Sequence, residues 1–250
     1  MAGIDKACSP SRNLLLASLS PEDYAAIRPR LEIVTLEPQH VLHNAGDACQ
    51  YVYFPRGGFL SAAILLQDGT MVEVAPIGRE GLAGIPGKRA SAAMANALVV
   101  VHGELECAYR MRLDDFRREM DKCGPFMDVV NRYEEAFLGV VMQNTGCNAA
   151  HSVEQRLSKW LLMAQDRIEA PRFHITQQFV ASLLGATRPT VTGVAGDLQR
   201  KGLIDYSRGR LQIVDRRGLE KSSCECYEVS TRLLSQAVLP PLASAQSHNR

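Results

Sequence analysis

Arginine, threonine and glutamine side chains recur between Thr176 and Arg210, in a pattern that suits contact with nucleic acid. An arginine at the start of a helix can donate two hydrogen bonds to O6 and N7 of a guanine in the major groove. Hydroxyl and amide groups suit phosphate oxygens. The candidate DNA-contacting residues are Thr176, Gln177, Gln178, Thr187, Arg188, Pro189, Thr190, Thr192, Arg208 and Arg210.

Two short helices and a hairpin are predicted to position these side chains. Residues 176–184 and 187–201 have the apolar spacing of helices, and Gly185 permits a sharp turn between them. Thr176 and Thr187 are predicted N-caps. Two short strands follow, near residues 203–206 and 210–214, with basic residues at the tip between them. The pattern predicts a winged helix-turn-helix.

Positive charge is concentrated in the same part of the chain. The whole chain has a net charge of +1, but residues 151–217 contain 11 Lys and Arg against 6 Asp and Glu. Residues 1–150 contain 14 against 18. Because neutralisation of phosphates supplies much of the affinity for DNA, this distribution favours a DNA contact in the C-terminal segment.

Short strand-like runs between Leu31 and Tyr109 predict a β-barrel or β-roll ahead of the helices. The Asp68-Gly69 pair marks a tight hairpin between residues 59–66 and 71–75. Many short strands with regular turns are typical of such architectures. The predicted fold class is therefore α+β.

A long helix is predicted after Gly124-Pro125, and two interpretations of its apolar pattern are open. Apolar residues recur at alternating spacings of four and three, as in a heptad repeat. The helix could pack on its own domain, or it could form a two-fold coiled coil with Asn144 fixing the register. On the second interpretation, the dimer-interface residues are Phe126, Val130, Tyr133, Phe137, Val140, Asn144 and Cys147.

These segments together resemble the Crp/Fnr family of bacterial transcription regulators over nearly the whole chain. The strongest similarity lies in residues 175–178, 184–191 and 198–204, and weaker similarity lies in residues 53–58 and 78–81. The resemblance implies a jelly-roll-like sensor domain of the cyclic-nucleotide-binding type, a long dimerisation helix and a winged helix that recognises a two-fold symmetric operator. It also implies a base-reading role for Arg188, with phosphates held by Thr176, Gln178, Thr187 and Thr190.

The chain departs from the cyclic AMP-responsive members of that family. Pro189 and Gly193 stand where the resemblance implies a glutamate and a second base-contacting arginine, so we expect a different operator. Ala90 separates the arginine and the serine that would hold a cyclic phosphate, so we expect no cyclic AMP binding. The candidate effector-pocket residues are Arg79, Glu80, Arg89 and Ser91.

The seven cysteines have a spacing that predicts neither a disulfide framework nor a zinc ribbon. Cys8 stands alone near the N-terminus, so the iron–sulfur cluster of the family's oxygen sensors is not expected. His40 and His43 are interpreted as surface or strand-packed residues. Cys224 and Cys226 lie in a predicted polar tail without a clear second pair of ligands. The sequence therefore predicts no metal site and no cofactor.

The predicted domains are an effector-sensing β-roll (14–123), a dimerisation helix (124–150), a winged helix-turn-helix (151–220) and a C-terminal tail (221–250). The absence of a run of roughly 20 apolar residues and of a signal-peptide pattern predicts a cytoplasmic protein that does not enter the membrane.

The predicted function is a homodimeric, sequence-specific DNA-binding transcription regulator controlled by an unidentified signal at the β-roll. RNA polymerase and a small-molecule effector are further candidate partners. The alternative is a ligand-sensing module that acts through protein partners with a degenerate DNA-binding domain, and the retained Arg188 and Thr190 argue against it. A cupin-like enzyme is disfavoured, because His40, His43 and His102 do not have the spacing of its metal ligands.

Overall fold

A computed structural model describes residues 12–37, 41–43, 47–84, 97–102, 105–168 and 172–238. Two short helices come first, α1 (Leu14–Ala17) and α2 (Pro21–Ile27), and a 3₁₀ turn joins α2 to the first strand. The side chains of Asn13 and Ser20 cap these helices by accepting hydrogen bonds from backbone N–H groups of the first turn. Buried Asn13 also donates to the carbonyls of Pro55 and Gly81, which fixes α1 against the strands.

The predicted β-roll is confirmed as two facing antiparallel sheets. One sheet has the order β1-β7-β3 and the other the order β2-β6-β4-β5. Asp68 and Gly69 form the turn between β4 and β5, with Gly69 at a φ of +82°. The strands are β1 (Leu31–Leu36), β2 (Val41–His43), β3 (Tyr51–Pro55), β4 (Phe59–Leu65), β5 (Met71–Ile77), β6 (Ala97–His102) and β7 (Leu105–Arg112).

Two helices follow the β-roll. Helix α3 (Leu113–Asp121) ends before Gly124, and α4 (Pro125–Ala150) is the longest element, with 26 residues and a proline in its first turn. Proline is favoured there because the first N–H groups of a helix have no partner within it. Helix α4 carries the chain from the β-roll to the C-terminal unit.

The C-terminal unit consists of short helices on a three-stranded sheet of order β8-β10-β9, as a winged helix-turn-helix requires. Helix α5 starts with a capping box, in which Ser152 and Gln155 exchange side-chain-to-backbone hydrogen bonds. The elements are α5 (Val153–Ile168), β8 (Arg172–His174), α6 (Gln177–Leu183), α7 (Arg188–Arg200), β9 (Ile204–Ser207), β10 (Arg210–Ile213), α8 (Arg216–Ser222) and α9 (Cys226–Val238).

The predicted C-terminal tail is corrected in part by helix α9. This helix packs antiparallel along α4, because Cys226 lies beside Gln143, and Arg132 donates to the carbonyl of Ala237. Buried Leu234 belongs to the same apolar cluster as the N-terminal half of α4. The helix is amphipathic, and its exposed side consists of Glu228, Thr231, Arg232, Ser235 and Gln236.

The predicted dimer-interface residues on α4 are also corrected. Phe126, Val130, Tyr133, Phe137, Val140, Asn144 and Cys147 face their own chain, and all except the half-buried Phe137 are buried. Asn144 fixes no coiled-coil register, because its amide donates to the carbonyl of Val74 at 2.7 Å and its oxygen accepts from Lys159. The heptad pattern therefore reports packing of α4 against the β-roll and α9, which was the first of the two interpretations.

The C-terminal unit packs directly on the β-roll through β4 and β5. The rings of Phe59 and Trp160 meet edge to face, 5.5 Å apart between centroids. The indole N–H of Trp160 donates to buried Glu73 at 2.9 Å. None of the helices in the described parts of the chain has both the length and the apolar character to cross a bilayer.

Candidate nucleic-acid interface

Helices α6 and α7 form a helix-turn-helix whose two N-termini are capped as the sequence predicts. Thr176 accepts a hydrogen bond from the N–H of Phe179 at 3.2 Å, and Thr187 accepts one from the N–H of Thr190 at 3.3 Å. The turn passes through Gly185 with a φ of +57°, in the left-handed region that glycine adopts without strain.

Helix α7 buries one face and exposes the other. Val191, Ala195 and Leu198 face inward and hold α7 on the core of the C-terminal unit. Arg188 is the first residue of the helix, and its side chain is exposed to solvent. The remaining exposed residues at this end of the helix are Thr187, Pro189, Thr190, Thr192 and Gly193.

The two helices are fixed to each other on the outside as well as in the core. Thr192 donates to the side-chain oxygen of Gln177 at 2.6 Å. The hydroxyl groups of Thr187 and Thr190 lie 2.8 Å apart. These contacts hold the polar side chains of α6 and the start of α7 in one surface.

The predicted wing is a tight hairpin between β9 and β10. Its tip residues, Arg208 and Gly209, have φ values of +50° and +79°, as a type I′ turn requires. A side chain on Gly209 would also collide with His174, because its Cβ would lie 2.9 Å from the imidazole Nε2. The turn projects the Arg208 side chain into solvent.

The helix start and the wing enclose a polar groove of about 470 Å³. Five of the residues predicted to contact DNA line this groove: Thr176, Gln177, Gln178, Arg188 and Arg208. Arg210 is exposed in β10 beside the groove, opposite His174 in the strand register. The guanidinium groups, amides and hydroxyls of this concave surface can donate to phosphates and to base edges.

Sequence reasoning missed His174 and Tyr206, which also line the groove. Tyr206 is held by its hydroxyl, which donates to the carbonyl of Ile175 at 2.7 Å. Burial raises the pKa of this phenol to about 12, so it stays protonated at neutral pH. His174 reaches the groove because β8 pairs with β10, and this pairing of distant segments leaves no local signal in the sequence.

Of the four predicted effector-pocket residues, Arg79 and Glu80 lie in the described part of the chain. Glu80 accepts two hydrogen bonds from Arg167 of α5, at 2.9 and 2.6 Å, and so lies at the contact between the domains. The backbone carbonyl of Arg79 accepts from the N–H of Leu14. Arg89 and Ser91 lie outside the described residues.

The predictions for the histidines and for the cysteines compare differently with the structure. His43 is buried as a strand-packed residue, with Cys49 at 3.7 Å, while His40 lies outside the described residues. The interpretation of Cys224 and Cys226 was wrong, because α4 brings a second pair of donors, Cys147 and His151, to them.

Comparison with known proteins agrees with this architecture. Residues 155–222 match the Crp-like helix-turn-helix domain. No curated protein matches the chain at the sequence level.

Solved structures with the same fold extend the similarity to most of the chain. A CRP-family transcriptional regulator from Thermus thermophilus is 18% identical, covers 76% of this chain and 96% of its own, and gives a TM-score of 0.65. A CRP/FNR-family regulator from the same organism is 17% identical, with coverages of 77% and 98% and a TM-score of 0.64. The c-di-GMP-responsive regulator CLP of Xanthomonas campestris is 13% identical, with coverages of 78% and 99% and a TM-score of 0.62.

The fold and the exposed helix start define the class as a winged-helix DNA-binding protein joined to a β-roll. Residues 155–222 form a Crp-like helix-turn-helix domain, and the chain shares its fold with solved regulators of the Crp/Fnr family, so it is a DNA-binding transcription regulator.

Proposed function

We propose that the chain works in the cytoplasm as a homodimer that binds a two-fold symmetric operator, and that a signal at the β-roll controls this binding. The observation that carries the proposal is the groove between the start of α7 and the wing, where Arg188 and Arg208 are both exposed. Arg188 would read a base in the major groove, and Arg208 and Arg210 would contact phosphates.

The second copy would dock on the face of α4 that the β-roll and α9 leave open. Leu138 and Met142 are 59% and 67% exposed, and they stand four residues apart on that face. Glu135, Thr145 and Ala149 continue the stripe at spacings of three and four. At 100° per residue, the centre of this stripe lies about 150° around the helix from the centre of the buried one. Two heptad patterns thus share one helix, and the exposed one fits a two-fold coiled coil.

The signal would reach the DNA-binding unit through its contact with β4 and β5. Trp160 and Arg167 of α5 bond to Glu73 and Glu80 of the β-roll, and Asn144 of α4 bonds to the backbone of β5. A displacement of these strands would shift α5 and, with it, the spacing of two recognition helices that must lie about 34 Å apart. RNA polymerase and a small-molecule effector remain proposed partners.

Selection from random duplex DNA tests whether the chain recognises a specific base sequence through Arg188. The wild-type chain is expected to enrich a palindrome with half-sites one helical turn apart, whereas Arg188→Ala loses the enrichment at the base that it reads. Enrichment of the same sequence by both proteins, or of none by the wild type, would contradict the proposal.

Sedimentation velocity tests the dimer. The double variant Leu138→Glu/Met142→Glu is expected to sediment as a monomer at concentrations where the wild type is a dimer, because it places carboxylates against each other across the two-fold axis. Val214→Glu is the matched control, because Val214 is 60% exposed and lies outside the stripe. A dimer of the double variant, or a monomer of the wild type, would contradict the assigned interface.

A further inference from the structure

Three cysteines and a histidine from distant parts of the chain meet at the end of the long helix. Cys147 is in the last turn of α4 and His151 directly follows that helix, while Cys226 is the first residue of α9 and Cys224 lies two residues before it. Their four donor atoms all lie within 4.8 Å of one another. The three cysteines are buried and form an apolar cluster of their own.

We propose that Cys147, His151, Cys224 and Cys226 bind a zinc ion in a four-coordinate site that fastens the end of α4 to the start of α9. Three sulfur donors and one imidazole are a ligand set of structural zinc sites. Hard ions such as Mg²⁺ and Ca²⁺ prefer oxygen ligands, so the donors select a softer metal. With four protein donors, the site is closed to substrate, which makes it a structural site.

The distances fit a tetrahedron around zinc. A Zn–S bond of about 2.3 Å and a Zn–N bond of about 2.0 Å place neighbouring donor atoms roughly 3.5 to 3.8 Å apart in a tetrahedral site. The Sγ atoms of Cys147 and Cys224 are 3.6 Å apart, and Sγ of Cys226 lies 3.6 Å from Nδ1 of His151. Two of the six donor–donor distances therefore already match such a tetrahedron, and none of the six exceeds 4.8 Å.

The groups around the donors support a metal rather than four unrelated side chains. His151 turns Nδ1 toward the sulfur atoms, and its Nε2 lies 3.3 Å from a carboxylate oxygen of Glu225. A carboxylate on the far nitrogen orients a ligating histidine and increases its basicity. The amide of Gln143 donates to Sγ of Cys226 at 3.1 Å, as donors around metal thiolates do.

Cysteine binds metals as the thiolate, so a positive charge beside the donors favours the site. Lys159 is 6% exposed and places such a charge near Cys147. Lys159 would thus offset part of the negative charge of three thiolates on one zinc ion.

The position gives the ion a mechanical role. Residues 151–152 are the junction between α4 and α5, where the β-roll part of the chain passes into the DNA-binding unit. A bond network at this junction that includes α9 would fix both ends of the DNA-binding unit to α4. Loss of the ion is then expected to loosen the DNA-binding unit without removing any residue of the groove.

Metal analysis of the untagged full-length chain tests the site. We expect about one zinc ion per chain after gel filtration. Cys147→Ser, Cys224→Ser and Cys226→Ser are each expected to lower the zinc content at least tenfold. Cys123→Ser is the matched control, because Cys123 is exposed and distant in the fold from the cluster, and it is expected to keep the full content. Less than about one zinc ion per five wild-type chains, stoichiometric iron instead of zinc, or equal zinc in the serine variants would overturn the proposal.

Cobalt substitution keeps the test decisive if a serine variant fails to fold. Co²⁺ added to the metal-free wild-type chain is expected to give the intense visible bands of tetrahedral cobalt and a thiolate charge-transfer band whose intensity corresponds to about three sulfur ligands. His151→Cys is expected to retain the metal with a charge-transfer band increased by about a third. Weak octahedral bands without charge transfer in the wild type would overturn the proposal.

Discussion

The DNA-facing groove and the junction between the domains use the same residue types in opposite environments. In the groove, Arg188 and Arg208 are exposed, and the structure around them consists of local caps and a two-residue turn. At the junction, Arg167 is 6% exposed and Glu73 is 7% exposed, and each bonds to a residue far away in the sequence. Loss of a groove arginine should impair DNA recognition, whereas loss of a junction partner should impair folding or coupling.

The difference shows that separate sets of residues provide stability and DNA recognition in this chain. An exposed arginine that makes no contact with the core can be replaced with little effect on folding. A buried charge that loses its partner remains in a poorly solvated place, which is strongly unfavourable. Substitutions in the two regions therefore give separable results.

The largest effect is expected from Arg167→Ala. The Arg167 and Glu80 side chains are only 7% and 12% exposed, so the substitution leaves a buried carboxylate without its partner. We expect the free energy of unfolding to fall by about 3 to 5 kcal/mol, as urea titration would measure. Arg118→Ala, which breaks an exposed pair with Asp115, should change it by less than about 1 kcal/mol. A loss of less than about 1 kcal/mol for Arg167→Ala would remove the distinction between the regions.

The next effect is a pH dependence that Glu73 creates. Burial raises the pKa of Glu73 from 4.5 to about 7, although Ser61 and Trp160 donate hydrogen bonds to it. Between these values the folded chain keeps a proton that the unfolded chain has lost. Stability should therefore decrease as the pH rises through this window, by about 3 kcal/mol in total, and level off above pH 7.

Glu73→Gln isolates this contribution, because glutamine keeps the shape but does not titrate. The stability of the variant relative to the wild type should rise between about pH 5 and pH 7 and become constant above that window, as urea titrations at several pH values would show. A difference that is the same at all these pH values would contradict a titrating Glu73 at the junction.

A smaller effect on folding is expected from the N-cap of the recognition helix. Thr187→Ala removes the acceptor for the N–H of Thr190 and should lower the free energy of unfolding by about 1 kcal/mol. Thr187→Ser keeps an acceptor at the same place and should retain most of that stability in the same thermal or urea titration. An equal loss in both variants would indicate that the hydroxyl does not cap the helix.

The smallest effect on folding is expected at the tip of the wing. Arg208 has a φ of +50°, a conformation that asparagine adopts more readily than other residues with a side chain. Arg208→Asn should leave the free energy of unfolding within about 0.5 kcal/mol of the wild type. It should also lower the slope of log affinity against log salt by about 1, because one phosphate contact is lost. An unchanged slope would place the wing away from the DNA backbone.

The groove was largely predictable from the sequence, because its signals are local. The caps at Thr176 and Thr187, the turn at Gly185 and the hairpin tip are each specified within a few residues. The strands of the β-roll were predictable for the same reason, as at the Asp68-Gly69 turn.

The junction and the cysteine cluster could not be predicted, because their partners are far apart in the chain. Glu73 and Trp160 are 87 residues apart, as are Glu80 and Arg167, and Cys147 and Cys224 are 77 residues apart. The heptad pattern of α4 misled the prediction for a related reason. Both faces of that helix have apolar residues at heptad spacing, and only the tertiary structure shows which face the chain itself covers.

The most direct test of the account is an equilibrium titration of the selected palindromic duplex with wild type, Arg188→Ala and Arg118→Ala, alongside urea unfolding of all three. Each of the two variants loses one exposed arginine, so they change the net charge equally. Arg188→Ala is expected to bind about 10 to 100 times more weakly with unchanged unfolding, whereas Arg118→Ala should bind like the wild type. Equal binding by Arg188→Ala and the wild type, or equal losses in both variants, would contradict a base-reading role for the start of α7.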